Sequence, residues 1–156
     1  MALGRQVDLR FLAEPMHVNF GGKVHGGIVM KWIDQAAYAC AAGWSRSYCV
    51  TVSVGAIKFG HPILVGQVVE LSAKVIHTGK TSMQILVTVK AGDPKSGALG
   101  YTNHCIITFV ATDGQGNLIE VPKWEPKTKK DKILEQYALE MKAFSLEIEK
   151  KYDIFE

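Results

Sequence analysis

One helix-spaced apolar stretch, followed by four runs of alternating apolar residues, limits what this chain can fold into more than any other feature. Ile28, Val29, Trp32, Ile33, Ala36, Ala37 and Cys40 recur at intervals of three and four, the spacing of a helix. Only Lys31 and Asp34 carry charge in that segment, and a helix apolar nearly all round is expected to be buried. Gly43 is its expected stop. Upstream, Val7 to Leu12 reads as a strand closed by Pro15, and a glycine-dense loop runs from His17 to Gly27.

After the helix the period changes to two. Cys49 to Phe59 alternates through Val50, Val52 and Val54, slips at Gly55, and resumes with Ile57 and Phe59; a bulge or a close backbone approach at Gly55 accounts for the slip. Gln67 to His77, Thr81 to Ala91 and Tyr101 to Ala111 alternate in the same way, with a tight hairpin expected at Thr78-Gly79-Lys80. One buried helix with antiparallel strands is an α+β plan, most economically a curved sheet wrapped around the helix. Such a sheet has edge strands, and pairing two subunits edge to edge covers them. At least a dimer is expected.

Beyond Pro122 the character changes. Lys123, Lys127, Lys129, Lys130 and Lys132 precede a helical pattern from about Asp131 to Lys151, with Leu134, Tyr137, Met141, Phe144 and Ile148 as one apolar stripe. We divide the chain into a domain at 1–122 and a Lys-rich helical extension at 123–156. A narrow stripe predicts packing on the subunit or a neighbour rather than on a membrane surface.

At 156 residues, 47% hydrophobic and 21% charged, the chain fits one globular domain. Its net charge of +3 is too small to argue for nucleic acid, though it suits an anionic ligand. Cys40, Cys49 and Cys105 are sparse and unpaired by motif, which reads as free thiols in a reducing compartment and supports no metal site. The N-terminus lacks an uninterrupted apolar region and no run reaches membrane-spanning length, so a cytoplasmic location is expected.

The most informative stretch is His25-Gly26-Gly27 at the start of the helix, with Asp34 two turns inside. Glycines there let a ligand approach the backbone. The first N–H groups of a helix lack partners and carry the positive end of its dipole, so they suit a carbonyl oxygen gaining negative charge. A carboxylate in an apolar helix needs a partner, water or a cavity. Lys31 stands three residues before Asp34, so a surface ion pair is the plain alternative; the glycines can equally form a simple tight loop, and His25 a simple cap. Gly79-Lys80-Thr81 is not a phosphate-binding P-loop, because Lys74 stands where that motif needs glycine and a strand follows instead of a helix.

Asn19, Gly22, His25-Gly26-Gly27, Met30 and Asp34 together resemble the signature of hotdog acyl-CoA thioesterases, with one residue of slack after Gly22. The similarity is to the branch holding brain-type acyl-CoA hydrolase and the YciA-type enzymes. It continues through Val50-Thr51-Val52-Ser53-Val54, Phe59, Pro62, Val65-Gly66 and Thr78-Gly79-Lys80-Thr81-Ser82-Met83, spanning roughly residues 12 to 122. The resemblance implies a hotdog fold that hydrolyses acyl-CoA to fatty acid and CoA without a metal or redox cofactor, CoA being part of substrate and product. It implies sites at a dimer interface, in homo-oligomers that are commonly trimers of dimers. Asp34 would drive attack on the thioester and Asn19 would position water or substrate. Gly27, with Gly26, would polarise the carbonyl, and His25 would shape the turn. Gly79, Lys80, Thr81 and Ser82 would lie near CoA. The rivals are a non-catalytic acyl-CoA-binding module, against which a buried acid at Asp34 speaks, and an acyl-thioester dehydratase using His25.

Overall fold

A computed structural model describes residues 4–156; residues 1–3, which open the segment read above as lacking an export signal, lie outside them. Strand β1 (Gln6–Leu12) leads through a short 3-10 turn (Pro15–His17) to helix α1 (Gly26–Ser45). Strands β2 (Tyr48–Val54), β3 (Val68–Thr78), β4 (Ser82–Gly92) and β5 (Gly100–Thr112) follow, then helix α2 (Lys129–Glu149). The strands form one sheet in the order β1-β3-β4-β5-β2, and every neighbouring pair is antiparallel.

The period-two pattern places the core. Val69, Leu71, Ala73 and Val75 of β3, Ile85, Val87 and Val89 of β4, and Cys105, Ile107 and Phe109 of β5 form one buried cluster with Val29, Trp32, Ile33, Ala36, Ala37 and Cys40 of α1. Removing a Val, Leu, Ile or Phe side chain from water contributes about 1.5–3 kcal/mol, so this face holds the helix to the sheet. The other face of the sheet carries a smaller cluster, Ile76, Leu86 and Ile106, capped by Ala138 of α2 with Leu134 and Met141 packed around it.

Several expectations need correction. Helix α1 is not buried all round: Gly27, Met30, Lys31 and Tyr38 are exposed, because a single sheet covers only one side of it. It ends two residues beyond Gly43, at Ser45, where the backbone of Arg46 turns left-handed (φ 57°) and its N–H bonds back to Ala42. Strand β2 stops at Val54 instead of running to Phe59. Its register shift falls between Thr51 and Ser53. Gly55 is the close approach, since a Cβ there would sit 2.9 Å from the Ile106 carbonyl oxygen. On α2 the contact line is Leu134, Ala138 and Met141, while Tyr137, Phe144 and Ile148 are exposed. The stripe does pack on its own subunit, over the outer face of the sheet, but its distal half does not.

Three segments distant in sequence meet at Arg5. Its guanidinium lies 2.7 Å from Asp131 and 4.4 Å from the centroid of the Trp124 ring, and its Nε donates to the Val75 carbonyl at 2.8 Å. Asp131 also closes the N-terminal capping box of α2 with Thr128. Burial pushes the Asp131 carboxyl up, but Arg5 and the Lys127 and Thr128 N–H groups outweigh it and hold it below the usual carboxylate range. A folded value below the unfolded one gives stability that is complete above about pH 4 and is lost as the pH falls through the lower folded value. Arg5→Ala is therefore expected to cost about 2–3 kcal/mol in urea melts near neutral pH, a deficit that narrows in acid. An equal deficit at about pH 7 and about pH 3 would remove the ion pair from this account.

Candidate active site

The loop that feeds α1 is pinned before the helix begins. Antiparallel bridges join Val18 to Val24 and Lys23 to Leu64. Between them the Asn19 N–H donates to the Lys23 carbonyl at 2.6 Å, and Gly22 bonds back to Asn19 at 3.1 Å with φ +77°, a conformation glycine adopts without strain. The Asn19 side-chain oxygen accepts from the N–H groups of Gly21 (2.9 Å) and Lys23 (3.2 Å). Its carbonyl end is thus committed to the loop, and its NH2 end is the one available for other contacts.

His25 is the N-cap residue of α1, and its carbonyl accepts from Ile28 and Val29. Its own N–H donates to the His17 carbonyl at 2.9 Å, while its side chain makes no cap bond. The N–H groups of Gly26 and Gly27 are the first of the helix and have no intrahelical acceptor. The two glycines differ in their surroundings. A Cβ on Gly26 would lie 3.4 Å from the Phe59 ring, whereas one on Gly27 would meet nothing within 4 Å. A Cβ at 26 would make an ordinary van der Waals contact and one at 27 none, so packing within this chain requires glycine at neither position.

Asp34 is half-buried on the open side of α1. It forms no ion pair with Lys31 among the described residues. Its Oδ1 accepts instead from the Thr51 hydroxyl of β2 at 2.8 Å. In sequence Thr51 stood only within the Val50-Thr51-Val52-Ser53-Val54 run, with no role of its own; its role depends on β2 running beside α1 at that level. Asp34 and Thr51 line a cleft with Gln35, Tyr38, Tyr48 and Val50. Asn19 and Gly26 line a different cleft, with Phe59, Gly60, Val29 and Asn103. One chain therefore does not bring the carboxylate to its own helix tip.

The Gly79 to Ser82 segment is the β3–β4 connection. Gly79 N–H bonds the Ser82 carbonyl at 2.9 Å, and a Cβ at Gly79 would stand 2.6 Å from the Ser82 hydroxyl, so a side chain there needs that hydroxyl to rotate away. Lys80 and Glu120 form a solvent-exposed pair at 3.6 Å, which contributes little to stability. Ser82 lies across from Val110, whose other neighbour is Val50, beside Thr51. The hairpin thus reaches the same end of the sheet as the Asp34 cleft but adds no contact to Asp34 itself.

All three cysteines are free and buried. Burial pushes the Cys40 thiol up to about 12, with a backbone bond and Arg5 opposing it, and raises Cys49 and Cys105 as well. Thiols held in that state are poor nucleophiles. None is a candidate for the chemistry.

Comparison with known proteins bears on the family and the fold. The family model described as Thioesterase superfamily matches residues 21–98. Protein VdlD of Helicobacter pylori is 33% identical over 121 residues, covering 78% of this chain and 69% of its own length. The cytosolic acyl coenzyme A thioester hydrolase of Homo sapiens is 35% identical over 130 residues; the match covers 81% of this chain and 34% of that protein, about a third. Among solved structures, an acyl-CoA hydrolase from Bacillus cereus superposes with TM-score 0.88 at 28% identity, covering 97% of this chain and 94% of that one. A hexameric acyl-CoA thioesterase gives 0.84 at 32%, covering 89% of each chain. The acyl-CoA hydrolase of Staphylococcus aureus, solved in complex with butyryl coenzyme A, coenzyme A and coenzyme A disulfide, gives 0.86 at 25%, covering 96% and 93%.

Proposed function

The chain belongs to the thioesterase superfamily, and from that premise we propose that it hydrolyses acyl-CoA thioesters to free carboxylic acid and CoA in a site shared by two subunits. The observation that carries this reading is the separation of the two clefts. Asp34 with Thr51 lies in one and Asn19 with the α1 tip in another, so each half needs its complement from a second chain.

The surface that would bring them together is apolar and unpaired. Strand β2 is a sheet edge, and Tyr48, Val50, Val52 and Val54 along it are 40–58% exposed. Met30 and Tyr38 continue that surface across the open side of α1. An unpaired apolar edge is a template for another strand, and a two-fold pairing of β2 with its copy covers both edges at once. A trimer of such dimers suits the hexameric relative.

In the shared site the N–H groups of Gly27 and Gly26 receive the thioester oxygen. Asp34 drives attack on the carbonyl carbon. Whether it takes the proton of a water or adds to the carbon itself, negative charge develops on the same oxygen and the helix tip stabilises it. If water attacks, Asp34 passes the water's proton to the CoA sulfur as the C–S bond breaks. If Asp34 attacks, the C–S bond breaks to leave an acyl–Asp34 anhydride and CoA thiolate; a water then cleaves the anhydride, which restores the carboxylate, releases the acid and supplies the proton for the sulfur. Thr51 holds one carboxylate oxygen by donating to it, Asn19 offers its NH2 to water or substrate, and His25 sets the angle of the turn. The Gly79, Lys80, Thr81 and Ser82 hairpin supports CoA outside the reacting centre. No resident metal or redox group is needed for this sequence of steps. Three inert buried thiols suit a reducing, cytoplasmic setting. No helix among the described residues is long and apolar enough to cross a membrane.

The test is release of free CoA from a ladder of acyl-CoA thioesters by the purified chain. Hydrolysis of at least one member is expected, and none across the ladder overturns the proposal. Thr51→Val removes the bond to Asp34 and keeps the size of the side chain. It is expected to lower kcat roughly tenfold with little change in KM, the scale of a hydrogen bond to a charged group. An unchanged kcat would leave Thr51 a bystander.

A further inference from the structure

Strand β5 carries an irregularity next to the α1 tip. Val89 pairs with Asn103 and Lys90 with Tyr101, so Thr102 is one residue extra on β5. A bulge of this kind re-aims side chains and is common beside active sites. It leaves two consecutive polar residues inside, Thr102 at 5% and Asn103 at 2% exposure. Asn103 follows the phase of Cys105, Ile107 and Phe109, the core-facing residues of β5, and it is the polar residue of β5 lining the cleft with Gly26, Val29, Phe59 and Asn19.

The Asn103 amide is half satisfied. Its Oδ1 lies 2.8 Å from the Thr102 hydroxyl, which is also 3.1 Å from the Val89 carbonyl, and its Nδ2 is buried without a partner. A hydroxyl has one proton to give. Given to Asn103, it leaves the NH2 end bare. Given to Val89, it lets the amide turn and donate to Thr102, and the carbonyl end is then bare in the same place. Either way one hydrogen-bonding atom has no protein partner, and a buried polar group in that state carries a free-energy penalty that a ligand atom can remove.

We propose that Asn103 is a specificity-determining residue, selecting acyl groups that bring a hydroxyl or carbonyl to this cleft over plain alkyl groups of equal length. The inference rests on the thioesterase reading above and deepens it. The single-chain cleft of about 330 Å³ has room for a small ligand group beside Asn103. A hydroxyl both donates and accepts, so it satisfies whichever end of the amide is turned toward it. An alkyl chain satisfies neither, and sites built to hydrogen-bond a substrate group discriminate against the analogue that lacks it.

The experiment compares kcat/KM for 3-hydroxybutyryl-CoA and butyryl-CoA in the full chain, with wild type, Asn103→Leu and Asn103→Ala. Wild type is expected to favour the hydroxylated substrate by roughly tenfold, the scale of one neutral hydrogen bond made in place of an unsatisfied group. Asn103→Leu keeps the volume, removes both polar ends and is expected to bring the ratio to about one with an undiminished thermal melt. Asn103→Ala gives the same readout without an added branch if the leucine variant does not fold. A purely structural role would scale both substrates equally and leave the ratio untouched, which overturns this inference alone. A wild type that hydrolyses neither these two nor any other acyl-CoA overturns the thioesterase reading, and this inference with it.

Discussion

Asp34→Ala lowers kcat/KM for acyl-CoA hydrolysis by at least about 100-fold, the loss expected when the group that drives attack on the carbonyl is removed. The fold has little stake in this side chain. Asp34 is half-buried and its Thr51 partner is exposed, so truncation leaves a hydroxyl that water can satisfy instead of an orphan in the core. The melting temperature and the oligomeric state of the variant should therefore match wild type. Loss of activity with both preserved is the chemical result; activity within a few-fold of wild type would remove Asp34 from the mechanism.

Two inactive variants regain activity when mixed. If each site takes Asp34 from one subunit and Asn19 with the helix tip from the other, a dimer of Asp34→Ala with Asn19→Ala has one doubly damaged site and one intact site. Random re-pairing makes about half of the dimers mixed, so about a quarter of all sites become whole, as two-fold symmetry requires. Co-refolding or co-expression of differently tagged chains, followed by CoA-release assays, should show about a quarter of wild-type turnover in the unfractionated mixture and about half in mixed dimers isolated by both tags. Each variant alone stays near background. Mixed dimers as inactive as their parents would mean that Asp34 and Asn19 serve the same chain's site. The separation of the two clefts in a single subunit would then need another explanation.

Much of the fold was legible because its signals are local. The three-and-four spacing from Ile28 to Cys40 set α1, whose Val29, Trp32, Ile33, Ala36, Ala37 and Cys40 are in the core with Ile28 packed against it. The alternation through Val69 to Val75, Met83 to Val89 and Cys105 to Phe109 set strand faces, because every one of those alternating strand residues is in the core. The errors lie where tertiary contacts outrank local preference. Ile57 and Phe59 keep the alternation of β2 yet stand outside it, because the chain after Gly55 leaves the sheet and passes the helix tip, where Phe59 packs against Gly26. Phe144 and Ile148 keep the helical stripe of α2 but extend past the sheet residues that Leu134 and Ala138 cover.

The amino-acid sequence by itself determined which elements form and that Asp34 is an acid on an otherwise apolar helix, since both follow from side-chain period and charge along a few turns of chain. Only the tertiary structure decided what that acid touches, which end of Asn19 is free, and that Asn103 is buried with half its amide unsatisfied. Thr51 stands 17 residues from Asp34 and meets it because β2 is an edge strand beside α1. Asn103 reaches the helix tip through a one-residue bulge that no periodicity marks. Such contacts arise from strand order and register across the whole sheet, quantities that a window of neighbouring residues does not contain.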